Sequence, residues 1–334
     1  MPEARHAPNM HDVAALAGVS HVTVSRVLNG HSSIRPETRE RVLEAIAQLG
    51  YRRNLAARAL VTSRSHAIGV VTPAVAQFGP TSSVLAIESA ARDLGYHPLV
   101  TAAAVEREAT VASLEFLLDQ SVEAVVVIAP HQQVIEAIHE LDVSVPLAIL
   151  QAPGEHEGLV VGVDQTAGAR LATQHLLELG HRRIQHLAGP AAYFEAHARE
   201  RGYREALDAA GLGAEAPEVI VGDWTAASGF ELAAALDPTA TAVFVANDQM
   251  ALGLLSALAA SGRRVPDELS VVGFDDVPEA GFFQPALTTV HQDFELVGRR
   301  VIEVLAARMA GEDGPERVLI EPSLVVRAST RRLG

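Results

Sequence analysis

Two patterns of apolar and polar residues divide this 334-residue chain. In the first fifty residues the apolar positions recur at helical spacing, in short segments. Val13, Ala14 and Ala17 fall on one face of a helix beginning near His11. Gly18 ends it, because glycine takes the backbone angles that a sharp turn needs. Ser20 is a ready N-cap for a second helix, its hydroxyl accepting from a free backbone N–H. Val24, Val27 and Leu28 give that helix an apolar face toward the first, and the opposite face carries His21, Val22, Ser25, Arg26 and Asn29. Pro36 opens a third helix running to about Leu49, with Val42, Leu43, Ile46 and Leu49 as its buried stripe and Gly50 as its stop. Arg35 stands before that proline and has no side-chain oxygen to cap with. Residues 51–64, YRRNLAARALVTSR, form a linker of helical character: Asn54 is a plausible N-cap and LAARAL follows it. The segment is too short to be a stable helix alone.

From about His66 the pattern changes to short β-branched runs separated by amphipathic stretches. AIGVV at 67–71, AVVVI at 124–128, PLAIL at 146–150 and LVVGV at 159–163 make one set. RIQHLA at 183–188, PEVIV at 217–221, AVFVA at 242–246 and LSVVGF at 269–274 make a second, and LVVR at 324–327 reads as a last strand. Amphipathic segments such as 82–94, 166–179, 199–210 and 248–260 lie between them. Strands alternating with helices at this spacing predict parallel sheets with helices on both faces, and two sets predict two α/β subdomains.

Composition narrows the reading. Apolar residues make up 49% of the chain, ample for a packed core, yet no run of eighteen apolar residues predicts a membrane span. The first ten residues lack the apolar stretch of a secretion signal, and the absence of cysteine suits a cytoplasmic protein. The net charge of −15 is unevenly spread. Residues 1–66 carry nine arginines against five acids (net +4), and the remainder 17 basic against 36 acidic residues (net −19). A small basic module is attached to a large acidic one that repels polyanions. No nucleophile elbow, HExxH, P-loop or cysteine cluster is present, GLG at 211–213 lacks a third glycine, and the fourteen histidines are scattered. Nothing supports catalysis, a metal or a cofactor.

The two short N-terminal helices have the layout of a helix-turn-helix, whose second helix enters the DNA major groove. A helical hairpin that binds nothing is the alternative. The word DVAALAGVSHVTVSRVLNG at 12–30 closely resembles the DNA-binding headpiece of the LacI/GalR family of bacterial repressors. The likeness continues through LAGP at 187–190 with Arg199, GDWTAASGF at 222–230, VANDQMALG at 245–253, VVGFDD at 271–276 and LTTVHQDFELVG at 287–298. It runs from about Met10 to Arg327.

That resemblance implies an organisation. Residues 1–50 would be the headpiece, 51–65 a hinge helix, and 66–334 a core shaped like the sugar-binding proteins of the bacterial periplasm, with two doubly wound parallel sheets. The core would divide into about 66–163 with 293–321, and about 164–292 with 322–334, the chain crossing near Asp164, Gln292 and Glu321. In the headpiece, Ser20, His21, Val22, Thr23, Ser25, Arg26 and Asn29 would meet DNA. Arg26 and the phosphate-type residues Ser20, Thr23, Ser25 and Asn29 keep the pattern of sugar-responsive members, while His21 and Val22 depart from it and imply a different operator. Asn54, Ala57 and Leu60 would meet DNA in the hinge, where Leu60 either wedges into the minor groove or packs on the core.

An effector would lie between the subdomains at the carboxyl ends of the strands. Arg199, Asn247, Asp275 and Gln292 match polar sugar ligands, Trp224 an aromatic that packs on the sugar, and Phe78 the apolar end of the pocket. The chemistry agrees: a guanidinium donates in a fork, a carboxylate accepts from hydroxyls, and amides do both. Singly, Asn247 also reads as a helix cap and Asp275 as a turn residue. Gln151 stands where an aspartate contacts sugar in family members, and Tyr193, Glu195 and His197 also depart. The implied function is a cytoplasmic homodimeric repressor that a small carbohydrate, a galactoside-like sugar foremost, releases from a pseudo-palindromic operator. A co-repressor sign, a sugar binder without a DNA role and a sugar-processing enzyme are the alternatives. Leu252 and Phe283 would lie in the dimer interface. The end at Gly334 supplies no leucine-heptad helix, so assembly is expected to stop at the dimer.

Overall fold

The computed structural model describes residues 8–52, 64–75, 77–141, 143–150 and 158–333. The hinge residues Asn54, Ala57 and Leu60, and Gln151, lie outside the described residues. The chain divides between Ser65 and His66 into two compact units.

The N-terminal unit is built on three helices, α1 Met10–Ala17, α2 His21–Leu28 and α3 Pro36–Leu49. Asn9 and Asp12 cap α1 reciprocally: Asn9 Oδ1 accepts from the Asp12 amide at 3.2 Å, and Asp12 Oδ2 from the Asn9 amide at 2.8 Å. Gly18, at φ +64°, makes the turn, and Ser20 Oγ accepts from the Thr23 amide at 3.2 Å to start α2. Arg35 makes no side-chain cap for α3. The unit's core is Val13, Ala14, Ala17, Val24, Val27, Val42 and Ala45, with Ile46 and Leu49 packed against it. Leu43 does not belong to the buried stripe; it is 53% exposed. At about 100° per helical residue, Ala45, Ile46 and Leu49 cluster around Val42, whereas Leu43 lies a quarter turn away.

The second unit holds two six-stranded sheets. The first contains β1 Ala67–Pro73, β2 His97–Ala103, β3 Ala124–Ile128, β4 Leu147–Leu150, β5 Leu159–Val163 and β11 Arg317–Ile320, in the order β11-β5-β4-β3-β1-β2, all parallel. The second contains β6 Ile184–Ala188, β7 Ile220–Val221, β8 Ala242–Val245, β9 Ser270–Asp275, β10 Thr288–His291 and β12 Ser323–Val325, in the order β12-β10-β9-β8-β6-β7. Only β12 runs antiparallel to its neighbour. The continuous apolar run of β3 follows from burial on both faces. Ala124, Val126 and Ile128 meet α4 Phe78–Asp93 and α11 Phe294–Met309, while Val125 and Val127 meet α5 Arg107–Asp119 and α6 Gln132–Glu140. In the second sheet, α7 Gln165–Glu178 and α8 Phe194–Ala209 cover one face; α10 Asp248–Ala260 covers the other, with α9 Ala226–Leu232 packed on α10.

Three strands escape apolar-run reasoning. β2 and β11 are edge strands with exposed positions, and β10 is polar: Thr288 and Thr289 are fully buried through hydrogen bonds. The run 217–221 yields only a two-residue strand, and β12 ends at Val325 rather than Arg327. The chain passes between the sheets three times: from β5 through Asp164 into α7, from β10 into α11, and from β11 to β12. The turn that holds the cleft aromatic depends on a close helix crossing. A Cβ on Gly253 of α10 would lie 1.8 Å from the Ala226 carbonyl oxygen, and one on Gly229 of α9 would lie 2.1 Å from that of Met250.

Candidate nucleic-acid face and effector cleft

In the N-terminal unit, burying Val24 and Val27 turns the other side of α2 outward. His21, Val22, Arg26 and Asn29 are exposed and Thr23 and Ser25 half-buried, with exposed Ser20 at the helix start. Val22 is 46% exposed, an apolar side chain in a row that otherwise hydrogen-bonds. None of these seven residues is acidic.

In the second unit, five predicted residues from distant parts of the chain converge with one that sequence reasoning missed. Arg199 projects from α8 and is 5% exposed. Its Nε donates to Gln165 Oε1 at 2.9 Å, and one terminal nitrogen donates to the Ala246 carbonyl. The other lies 3.4 Å from Asp275 Oδ1. Gln165 Nε2 donates to Gln292 Oε1 at 2.7 Å, and Gln292 Nε2 donates to Asp275 Oδ1 at 2.7 Å. The four side chains close a ring of polar contacts. The signal for Gln165 was its place: it directly follows the crossing at Asp164. The guanidinium also sits 3.9 Å from the Phe274 ring centroid and 5.4 Å from that of Trp224.

Asn247 is a helix cap that also ties down the cleft aromatic. Its Oδ1 caps α10 by accepting from the Met250 amide at 3.0 Å, while its Nδ2 donates to the Trp224 carbonyl at 3.0 Å. Trp224 is thereby anchored in an unusual conformation, φ +72°. Its indole lies on Gly189, where a Cβ would stand 2.2 Å from the ring. Asp275 and Asp276 also have positive φ, +111° and +54°. Strained backbone at non-glycine residues is held only where the surroundings over-determine it, and such strain gathers at ligand sites. Phe78, at the start of α4, packs edge-on against Phe294 at 5.8 Å and against the core of the second sheet. Of the substituted neighbours, Glu195 is buried and Tyr193 half-buried in the cleft, but His197 is exposed on the far side of α8.

Burial controls the charges. It pushes Asp275 up to about 6, against the pull of Arg199 and Gln292. Glu195 is pushed up to about 7 by burial, with Arg199 opposing. Asp248, which holds Thr289 Oγ1 at 2.6 Å and the Val277 amide at 2.9 Å, is pushed up to about 8, first by burial and then by Asp275. Around one buried cation, only part of the carboxyl set is ionised at neutral pH. Such a lining has the chemistry to meet a neutral, hydroxyl-rich molecule, with donors, acceptors and an aromatic face together. Leu252 is 43% exposed on α10, whereas Phe283 is half-buried against the second sheet's core and its neighbour Phe282 is 84% exposed. No group of three or more potential metal ligands occurs among the described residues, and none of their helices is long and apolar enough to cross a membrane.

A capped helix-turn-helix unit and a two-sheet domain with a polar cleft, in one chain, define a ligand-responsive DNA-binding regulator. The model of bacterial regulatory proteins of the lacI family matches residues 9–54, and that of the periplasmic binding protein-like domain matches residues 173–330. The chain is 38% identical to the HTH-type transcriptional regulator CelR of Thermobifida fusca, over 98% of this chain and 99% of the relative. It is 37% identical to the lactose operon repressor of Escherichia coli K12, over 96% and 90%. Among solved structures, the lac repressor dimer bound to operator and the anti-inducer ONPF superposes with a TM-score of 0.89 at 35% identity, covering 98% of this chain and 100% of that one. The CelR–cellobiose complex superposes at 0.72 with 35% identity, covering 96% and 99%. The chain belongs to the LacI family of DNA-binding transcriptional regulators.

Proposed function

We propose that this protein is a cytoplasmic repressor that holds a pseudo-palindromic operator as a homodimer and releases it when a small sugar fills the cleft. The observation that carries the sugar reading is the convergence of Arg199, Asp275, Gln292 and Asn247 beside Trp224, in a lining that is buried, nearly neutral overall and rich in both donors and acceptors. Arg26 reads a base edge, flanked by His21 and Val22, while Ser20, Thr23, Ser25 and Asn29 contact phosphates. In the hinge, Asn54 and Ala57 contact DNA and Leu60 wedges into the minor groove. Leu252 and Phe283 join the two protomers.

The crossings supply the coupling. Gln292 lies where the chain leaves the second sheet for the first, Gln165 where it enters the second, and the two are bonded to each other. A sugar hydroxyl that replaces either partner of this pair acts directly on the segments about which the subdomains turn. A ligand shifts the equilibrium only by its differential affinity for the two arrangements; typical couplings of about 1–3 kcal/mol lower operator affinity roughly 5–150-fold. The test follows operator release by gel shift and Trp224 emission together while galactosides, then cellobiose and other sugars, are titrated into the full chain. Arg199→Ala is expected to abolish the response and keep operator binding. A sugar that binds and tightens the operator complex refutes release as the sign of the mechanism, and the absence of any sugar response refutes the effector class.

A further inference from the structure

Beside the first residue of α2 stands an imidazole from α1. His11, the second residue of α1, is exposed, and so is His21, the first residue of α2. Their ring centroids are 5.2 Å apart, with the planes tilted by 36°. Capping fixes the main chain at both positions. The His11 amide donates to Asn9 Oδ1 at 2.8 Å at the start of α1, and His21 directly follows Ser20, the cap of α2. Val13, Ala17 and Val24 pack both helices into one core. Neither imidazole makes a hydrogen bond or ion pair with another described residue.

Few other charges surround the pair. α1 carries one, Asp12, whose Oδ2 accepts from the Asn9 amide at 2.8 Å, and α2 carries one, the exposed Arg26. α3 meets both helices through Val42 and Ala45. At about 100° per residue, Glu37, Glu40 and Glu44 fall on its opposite side. Arg41 is exposed, and Arg39 donates to the His31 carbonyl at 2.8 Å. An imidazole is the side chain that ordinarily changes charge between about pH 5 and 8. Two imidazolium rings this close repel each other, and phosphates laid along the start of a recognition helix cancel that repulsion. We propose that His11 belongs to the DNA face and forms with His21 a proton-binding pair, so that operator binding takes up protons. This inference rests on reading α2 as the recognition helix. The sign follows from linkage: affinity is highest at low pH, where the pair is charged, and falls as pH rises and the protons leave. Each proton held also adds a charge that displaces a counterion from the duplex, so the dependence on salt steepens with it.

The test uses the full chain without sugar. The tightest duplex is selected from a random-sequence pool, and its affinity is measured by fluorescence anisotropy at pH 6.0 and 8.0 over a range of salt concentrations. The wild type is expected to bind about tenfold more tightly at pH 6.0, with a slope of log affinity against log salt steeper there by about one. Asparagine keeps a planar polar side chain and has no proton to gain. In His11→Asn and in His21→Asn the pH ratio should fall to about threefold, and in the double variant to below about twofold, whatever affinity each loses at pH 8.0. Far-ultraviolet circular dichroism unchanged between the two pH values establishes that the variants stay folded. A wild-type ratio near one, tighter binding at pH 8.0, or a double variant that keeps the wild-type ratio overturns the pair and leaves DNA binding intact. A His11→Asn variant that keeps the full ratio while His21→Asn abolishes it also overturns the pair, by leaving one titrating residue. If no duplex is selected, the reading of α2 falls together with it.

Discussion

Replacing Glu195 with glutamine should change how stability depends on pH, in a direction fixed by the burial of this carboxyl. Its ordinary value of 4.5 is pushed up to about 7 in the fold, chiefly because burial penalises the charged form. Between these values the unfolded chain has released the proton and the folded chain still holds it. The folded state therefore loses stability as pH rises from about 4.5, and the loss is complete above about 7. At about 1.4 kcal/mol per pH unit, the gap amounts to about 3 kcal/mol in all, of which about 2 kcal/mol falls between pH 5.5 and 8. Glutamine keeps the shape and has no proton to lose. The difference in unfolding free energy between Glu195→Gln and the wild type should therefore grow by about 2 kcal/mol in the variant's favour from pH 5.5 to pH 8. Asp275 and Asp248 are pushed up in both chains, so their contributions largely cancel in the difference. Urea unfolding at both pH values measures it, and Trp224, the only tryptophan, makes the emission a report on the cleft domain. A difference that stays constant with pH, or moves toward the wild type, would refute the argument that this carboxyl is held protonated by burial.

Three further outcomes follow from the geometry. Gly253→Ala should lower the unfolding free energy by about 3 kcal/mol or more, since its Cβ would press on the backbone of α9, which cannot yield as a side chain would; thermal unfolding reads this. Gly189→Ala should displace the indole from its seat, shifting Trp224 emission and weakening sugar binding while operator affinity in the absence of sugar is unchanged, a combination that paired fluorescence and gel-shift titrations detect. Arg26→Ala should weaken operator binding by about 1–3 kcal/mol and relax specificity at one base pair, whereas Ser25→Ala should weaken all sequences alike; a binding-site selection profile separates the two.

Local chemistry made the N-terminal unit legible. Helical spacing, Gly18 and Ser20 each act within a turn of chain, and the structure places them as helix, αL stop and cap. Leu43 was misplaced because a stripe of four apolar residues is read too easily as one face; the choice between Leu43 and Ala45 depends on which side of α3 the other two helices occupy. The alternating runs likewise announced parallel sheets, since strands buried on both faces must be apolar throughout. The edge strands β2 and β11 lack that double burial, and β10 is the exception, an interior strand whose buried threonines are satisfied by hydrogen bonds. Thr289 is buried only because Asp248, forty-one residues away, accepts its hydroxyl.

The cleft divides the same way. The resemblance of the chain's motif words to the family located Arg199, Trp224, Asn247, Asp275 and Gln292 as site candidates; all but Arg199, which lies within α8, sit where the local conformation is itself distinctive, at a capped helix start, a positive-φ turn or a strand end. What those side chains do depends on partners brought by the tertiary structure. Gln165 joins Arg199 to Gln292 only where two chain crossings meet, and Gly189 is needed only because an indole from another loop lies on it. Glu195 is an ordinary acid in the sequence. Burial makes it a proton-holding group with an unpaired oxygen, and burial is a property of what surrounds a residue, which no local pattern of the chain encodes.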